Sequence, residues 1–111
     1  MLRLLLLLLI PSIPVQAVEL LRDRHASEEY VFETDQTEMT ATVDAAEATL
    51  RATDWATHFY EDLLHIVDCE FRNKPTRFWL ITFARSNRNE KVYAVVLPNG
   101  SIVEPHTLMR D

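Results

Sequence analysis

The stretch that decides the fold runs from residue 44 to residue 66 and reads DAAEATLRATDWATHFYEDLLHI. Its apolar residues recur at steps of three and four, which places them on one face of a helix. Asp44 and Glu47 form an Asp version of the capping box, so we expect a helix from Asp44 to Ile66. Alanines in its first half make that face thin, so a sheet can approach it closely.

Three segments of alternating apolar residues follow the helix and are typical of strands: VDCEF (67–71), RFWLITFA (77–84) and KVYAVVL (91–97). Pro98-Asn99-Gly100 fits a type I turn with glycine in the αL position, and it predicts a last short strand over 101–104. A further strand candidate, EYVFE (29–33), precedes the helix. The short connections predict an antiparallel meander. The expected fold class is α+β, with one long helix packed on a four- to five-stranded antiparallel meander sheet.

Two of the predicted strands are apolar on both faces. If Phe83 pairs with Tyr93, the bulkier side chains form one face that meets the helix. The other face would be an open apolar patch, and such patches are more often interaction surfaces than bare solvent-exposed sheet. Its predicted binding residues are Phe78, Leu80, Val92, Val96 and Ile102. The alternative is that residues 18–42 fold back over this face.

The first 17 residues have the features of a secretory signal peptide. Arg3 precedes a short apolar run, and Val15-Gln16-Ala17 fits a cleavage site after Ala17. The run is too short to span a bilayer, although an uncleaved anchor or a buried N-terminal helix is the alternative. We expect an exported protein, periplasmic or extracellular, with no stable membrane anchor after cleavage. Residues 18–42 would be an N-terminal arm that could include an edge strand, 43–106 the helix-plus-meander domain, and 107–111 a tail.

The charge is negative overall and unevenly placed. Removal of the predicted signal leaves a net charge of −7. Residues 19–70 contain 14 acidic and 3 basic side chains, whereas residues 71–111 contain 3 acidic and 7 basic ones. The overall sign argues against nucleic acid as a partner. The asymmetry is typical of complementary packing within one domain, although it could also orient a partner.

No motif indicates catalysis or a cofactor. Cys69 is the only cysteine, so no internal disulfide forms, and we expect a buried, inert thiol rather than an intermolecular disulfide or a reactive group. His58, Asp62 and His65 lie one turn apart on the predicted helix, but no fourth metal ligand accompanies them. A solvated helix face is the simpler interpretation, so we expect no metal, no cofactor and no enzymatic activity.

The sequence also indicates two alternative binding sites. The basic loop 72–77 lies at the same end of the predicted meander as the turn 98–101. A secreted peptidase inhibitor or modulator could act through these turns, with Arg72, Lys74, Arg77 and Asn99 as contact residues. A small-ligand pocket could also lie between helix and sheet, lined by Trp55, Phe59 and Trp79.

The order of helix and meander resembles the cystatin-like folds, and residues 44–105 resemble a PepSY-type domain. The resemblance is carried by DAAEATLRA, VYAVV and PNGSIVEP. Cystatins insert a Gln-x-Val-x-Gly hairpin and a Pro-Trp turn into a protease. Here the first hairpin reads RNKPT and the last turn contains no Trp, so no inhibitory residue is transferred. The resemblance implies an exported binding module, and we expect it to bind a protein or peptide, or a second copy of itself, through its open sheet face or a sheet edge.

Overall fold

A computed structural model describes residues 16–37, 40–86 and 88–110. The described part is an α+β fold with one helix and two three-stranded antiparallel sheets. The elements in chain order are β1 (Val18–Arg24), β2 (Glu28–Thr34), α1 (Ala45–Tyr60), β3 (Leu64–Arg72), β4 (Phe78–Arg85), β5 (Lys91–Val96) and β6 (His106–Met109). The first sheet has the order β1-β2-β6, and the second has the order β3-β4-β5.

The predicted signal peptide falls outside the described residues except for Gln16 and Ala17. Within the described ranges, the first regular element begins at Val18, the residue after the predicted cleavage site. None of the described helical segments is both long and apolar enough to cross a membrane.

Helix α1 begins where the capping pattern predicts. Asp44 is the N-cap, and its Oδ1 accepts a 2.8 Å hydrogen bond from the backbone N–H of Glu47. The reciprocal half of the capping box is absent among these contacts, because the Glu47 carboxylate instead pairs with Arg51 at 2.7 Å. The buried alanines Ala48, Ala52 and Ala56 form the thin face, and they allow β5 to pack closely on the helix.

The predicted C-terminal end of the helix is wrong. The helix ends at Tyr60, because Glu61 adopts the left-handed conformation with φ 51° and ψ 49°. The chain then enters β3 at Leu64, so Ile66 belongs to a strand. The β-branched residues Ile66 and Val67 favour this outcome. They are paired with β4, which supplies tertiary contacts that local periodicity does not reveal.

The predicted N-terminal arm is a β-hairpin. The EYVFE strand is confirmed as β2, with Tyr30 and Phe32 both in the core. A second strand that was not predicted precedes it, since residues 18–24 form β1 and pair antiparallel with β2. A bulge near Leu20 interrupts the alternation of β1. That irregularity explains why no strand pattern was evident there.

The predicted register between β4 and β5 is wrong by one residue. Phe83 pairs with Val92, and Tyr93 pairs with Thr82. A shift of one residue moves every side chain of a strand to the opposite face. Cys69 pairs with Ile81, which pairs with Ala94, and Thr49 of the helix contacts the Cys69 sulfur at 3.5 Å. Cross-strand partners share a face, so this row faces α1.

The last part of the chain leaves the meander and joins the first sheet. The turn at Pro98-Asn99-Gly100 is confirmed, with Gly100 at φ +91°. Only Ile102 then bridges to β5, through Val96. Residues 106–109, expected partly as a tail, form β6 and pair with β2. The meander therefore contains three strands instead of the predicted four or five. Pro105 directly precedes β6, the strand that joins the first sheet.

Candidate functional site

The predicted open sheet face does not exist as such in the described structure. In the observed register, Val92, Val96 and Ile102 lie on the helix side of the second sheet, opposite to Phe78 and Leu80. All except Ile102 are buried, and Ile102 is half-buried. They belong to or pack against one continuous core that also contains Leu20, Tyr30 and Phe32 of the N-terminal hairpin. This burial favours the alternative in which residues 18–42 fold back.

The predicted turn residues lie on the surface and are held by local contacts. Arg72 approaches Glu70 at 3.5 Å, and Arg77 donates to Thr42 Oγ1 at 2.9 Å. Asn99 accepts a hydrogen bond from the backbone N–H of Ser101, which fixes the turn. Lys74 is exposed beside a cis peptide bond to Pro75.

The two turns approach each other through the segment before the helix. The backbone N–H of Val43 donates to the Pro98 carbonyl at 2.8 Å. On its other side, the Val43 carbonyl accepts a hydrogen bond from Trp79 Nε1 at 3.1 Å. Trp79 directly follows Phe78, the first residue of the strand that leaves the 72–77 loop. Both turns therefore lie at one end of the second sheet.

The histidine and cysteine candidates are separated by the early end of the helix. His58 lies on α1, whereas Asp62 follows the helix and His65 lies on β3. Across the described ranges, no group of three or more metal-ligating side chains is placed to hold an ion. Cys69 is half-buried rather than buried, and its sulfur accepts the hydrogen bond of the Thr49 hydroxyl.

β3 is the longest strand of the described structure, and its outer edge has no partner strand there. β3 spans nine residues, pairs only with β4, and forms one end of its sheet. A bulge between Ile66 and Asp68 makes Val67 an extra residue. The bulge turns Ile66 and Val67 toward solvent, where they are 50% and 51% exposed. After the bulge, residues 68–72 pair regularly with β4, so this stretch is a flat, unpaired edge of the kind that accepts another strand.

The side chains of the regular edge have one acidic face. Asp68 and Glu70 are exposed and alternate with the half-buried Cys69 and Phe71. Cys69 packs against the core, and Phe71 packs edge-on against Trp79. Asp68 has no ion-pair or hydrogen-bond partner among the described side chains, while Glu70 makes only the long contact to Arg72. A strand laid along this edge would therefore meet two carboxylates on its outward face.

A partly buried polar network lies at the β4–β5 connection, at the end of the second sheet opposite to the turns 72–77 and 98–101. His25 bridges two carboxylates, with Nε2 at 2.8 Å from Asp23 and Nδ1 at 3.3 Å from Glu90. Arg85 contacts Glu90 at 2.8 Å and Asp62 at 3.1 Å. The network joins the turn of the N-terminal hairpin to the β4–β5 connection and to the C-terminal end of α1.

The pKa values of this network shift with the number of charged partners. Burial alone would lower the pKa of His25, but the hydrogen bonds to Asp23 and Glu90 outweigh it and hold that pKa above its ordinary value. Burial raises the pKa of Asp23, since its one histidine partner offsets only part of the desolvation. Glu90 has two partners, Arg85 and His25, and they outweigh burial and lower its pKa. These contacts link the N-terminal hairpin to the second sheet, and we call the group around His25 the clasp.

Burial also raises the pKa of Tyr60 above its ordinary value. The Tyr60 hydroxyl donates a 2.6 Å hydrogen bond to the Tyr93 carbonyl, which ties the C-terminal end of α1 to β5.

The predicted ligand pocket is present in part. Trp55 and Phe59 line a cleft of about 650 Å³ beside residues 100–104, but Trp79 is elsewhere and packs edge-on against Phe71. The cleft also contains Arg51, Asp54 and His58, and of these only His58 was predicted to belong to a solvated helix face. Their spacing of three and four residues from one another was a usable signal, since it places them on one side of the helix.

The chain was compared with known proteins. No family model matches it, and neither a curated protein nor a solved structure matches it.

Proposed function

We propose that this protein is a small, exported, non-catalytic module that binds an extended segment of another protein along the outer edge of β3. The observation that carries the proposal is the nine-residue edge with its exposed Ile66 and Val67. In an antiparallel pair, every second residue directs its backbone N–H and C=O away from the partner strand. Those outward groups are available to an added strand, which is a common route of peptide recognition.

The other exposed edges are less suited to this role. β1 carries Glu19, Arg22 and Arg24 in surface ion pairs, and charged side chains of this kind discourage strand addition. β6 is only four residues long, so it offers few backbone groups. The edge of β5 is already bridged by Ile102.

Charge favours a basic occupant over a second copy of the chain. Two β3 strands paired antiparallel about Asp68, Cys69 or Glu70 would set carboxylates directly opposite each other, which is destabilising. A strand with Lys or Arg opposite Asp68 and Glu70 gains about 0.2–1 kcal/mol per pair instead. We therefore propose an extended segment with alternating basic and apolar residues, whose apolar side chains cover Ile66 and Val67.

Two further points support a binding role in an exported protein. The described fold begins at Val18, so removal of the predicted signal would leave every described element intact. The resemblance to cystatin-like and PepSY-type domains favours a non-catalytic module by analogy of fold.

Selection of ten-residue peptides displayed on phage against the purified protein tests the proposal. We expect enriched peptides to alternate basic and apolar residues and to protect backbone amides within 64–72 from hydrogen exchange. Val67→Lys should weaken their binding tenfold or more, because it adds a like charge at the bulge. Leu50→Lys is the matched control, since Leu50 is an exposed apolar residue on α1, 68% exposed against 51% for Val67, and it should leave binding unchanged.

Three results would contradict peptide binding along the outer edge of β3. These are equal loss in the Val67 and Leu50 variants, protection confined to another segment, and a selection that enriches no peptide. Light scattering adds a separate check. A wild-type dimer that becomes monomeric in Val67→Lys would mean that the occupant is a second copy, contrary to the charge argument.

A second candidate is a peptidase inhibitor or modulator that acts through the turns 72–77 and 98–101. It is favoured by the contacts of Val43, which bring the two turns together at one end of the sheet. Inhibition of a panel of exported peptidases should then be lost in a Lys74→Ala, Arg77→Ala double variant and kept in Val67→Lys. The matched control is the Arg88→Ala, Lys91→Ala double variant at the other end of the sheet, which should retain inhibition.

A further inference from the structure

A cleft separate from the β3 edge lies between α1 and the strand segment after the last turn. It has a volume of about 650 Å³, and its walls are residues of α1 on one side and residues 100–104 on the other. Trp55 and Phe59 form an aromatic wall, with ring centroids 4.7 Å apart and planes at 18°. Edge contacts from Phe32 and Tyr60 hold Trp55 in place, so the wall is rigid.

The charges around the cleft leave an acidic excess. Arg51 is already engaged, since its guanidinium pairs with Glu47 at 2.7 Å and donates to the Gly100 carbonyl at 3.3 Å. Asp54 and Glu104 also line the cleft. Neither carboxylate has a hydrogen-bond or ion-pair partner among the described residues. Both side chains are exposed to solvent.

His58 adds an acceptor to this wall. Its Nδ1 lies 2.8 Å from the Asp54 backbone carbonyl, which can only accept, so Nδ1 carries the proton. In that tautomer Nε2 is an acceptor, and His58 lines the cleft. Carboxylates, an imidazole acceptor and aromatic faces all favour a ligand that donates hydrogen bonds and carries positive charge.

We infer that this cleft binds a cationic side chain, an arginine or lysine of a peptide ligand. The charged group would lie between Asp54 and Glu104, and the aliphatic stem would lie against Ile102 and the aromatic wall. A cation over an aromatic face gains about 0.5–2 kcal/mol, with Trp the strongest partner. Arginine fits best, because its planar guanidinium stacks on aromatic rings and donates to carboxylates in a fork. The cleft is distinct from the β3 edge. The inference about the cleft therefore does not depend on the proposal that a peptide binds along that edge.

Titration of Nα-acetylarginine methylamide into the ¹⁵N-labelled protein tests the inference. The protein has two tryptophans, Trp55 and Trp79, and so two indole N–H signals. The Trp79 indole N–H donates a hydrogen bond to the Val43 carbonyl, and its signal serves as an internal reference. We expect the Trp55 signal to shift in a saturable way, with the Trp79 signal unchanged. The citrulline analogue is a neutral mimic of arginine, and it should bind at least about fivefold more weakly.

The variants separate charge recognition from simple burial. Asp54→Asn and Glu104→Gln keep the shape of the cleft, and each should weaken arginine binding by about three- to tenfold. Glu61→Gln removes an exposed carboxylate that lies outside both the cleft and the β3 edge, and it should have no effect. The inference is overturned if the norleucine analogue shifts Trp55 as strongly, if Glu61→Gln weakens binding as much as the cleft variants, or if the Trp55 signal does not move.

Discussion

The clasp around His25 makes the stability of the fold depend on pH in a defined direction. The folded pKa of His25 lies above its ordinary value, so the protonated ring favours the folded state. This contribution is complete below the unfolded pKa of about 6.5 and is lost as pH rises through the folded pKa. We expect the wild-type protein to lose stability between about pH 6 and pH 8, relative to a His25→Gln variant.

The geometry sets the size of this loss. The bond to Asp23 is short, and both side chains are mostly buried, with 12% and 9% exposed. Hydrogen bonds to charged groups are worth about 1.5–3 kcal/mol, but a buried pair also loses hydration. The contact to Glu90 is longer, and Glu90 is 32% exposed, so it adds no more than about 0.5 kcal/mol. A neutral ring can still donate one hydrogen bond, so deprotonation should cost about 1–2 kcal/mol in total.

Urea unfolding of both proteins at several pH values measures the effect. With a slope of about 1 kcal/mol per molar urea, the wild-type midpoint should fall by about 1–2 M relative to the variant. The other three histidines, His58, His65 and His106, are present in both proteins, so the comparison isolates the contribution of His25. Stability differences that stay constant from pH 6 to pH 8, or a wild type that gains stability, would refute the reasoning.

Two further perturbations test the core and the helix start. Phe32→Ala empties a fully buried site that contacts Trp55, and it should lower the free energy of unfolding by about 3–5 kcal/mol. Leu50→Ala on the exposed helix surface should change it by less than about 0.5 kcal/mol, and similar losses at both sites would contradict the assignment of the core. Asp44→Ala removes the N-cap hydrogen bond and should cost about 1 kcal/mol, measured by the same urea unfolding. An unchanged midpoint would mean that the cap is not formed in solution.

Local sequence patterns were enough to predict the elements whose signals are local. The N-cap at Asp44 and the turn at Gly100 depend on residues within a few positions of each other, and both are confirmed. The strand at Tyr30 and Phe32 alternates cleanly and is also confirmed. The α+β class follows from these elements.

The remaining features depend on contacts between distant residues. The helix was predicted to reach Ile66 because Leu63 and Ile66 continue the apolar spacing, but pairing with β4 selects a strand instead. The register of β4 and β5 is ambiguous in a sequence that is apolar on both faces. His25 and Glu90 meet only in the folded chain, so no spacing could have indicated the clasp. The helix side of the cleft could have been predicted from the sequence, because its residues share one side of α1.

The pairing of β2 with β6 also affects how the protein folds. Glu28 pairs with Met109, so β2 closes its sheet with a residue that lies 81 positions further along the chain (109 minus 28). Until β6 is available, one edge of β2 has no partner within the described fold. Pairing between distant segments slows folding, because a long loop must close before any contact compensates for the lost entropy. We therefore expect the first sheet to form only after β6 has been synthesised, and removal of residues 106–110 to expose β2 as a site of aggregation.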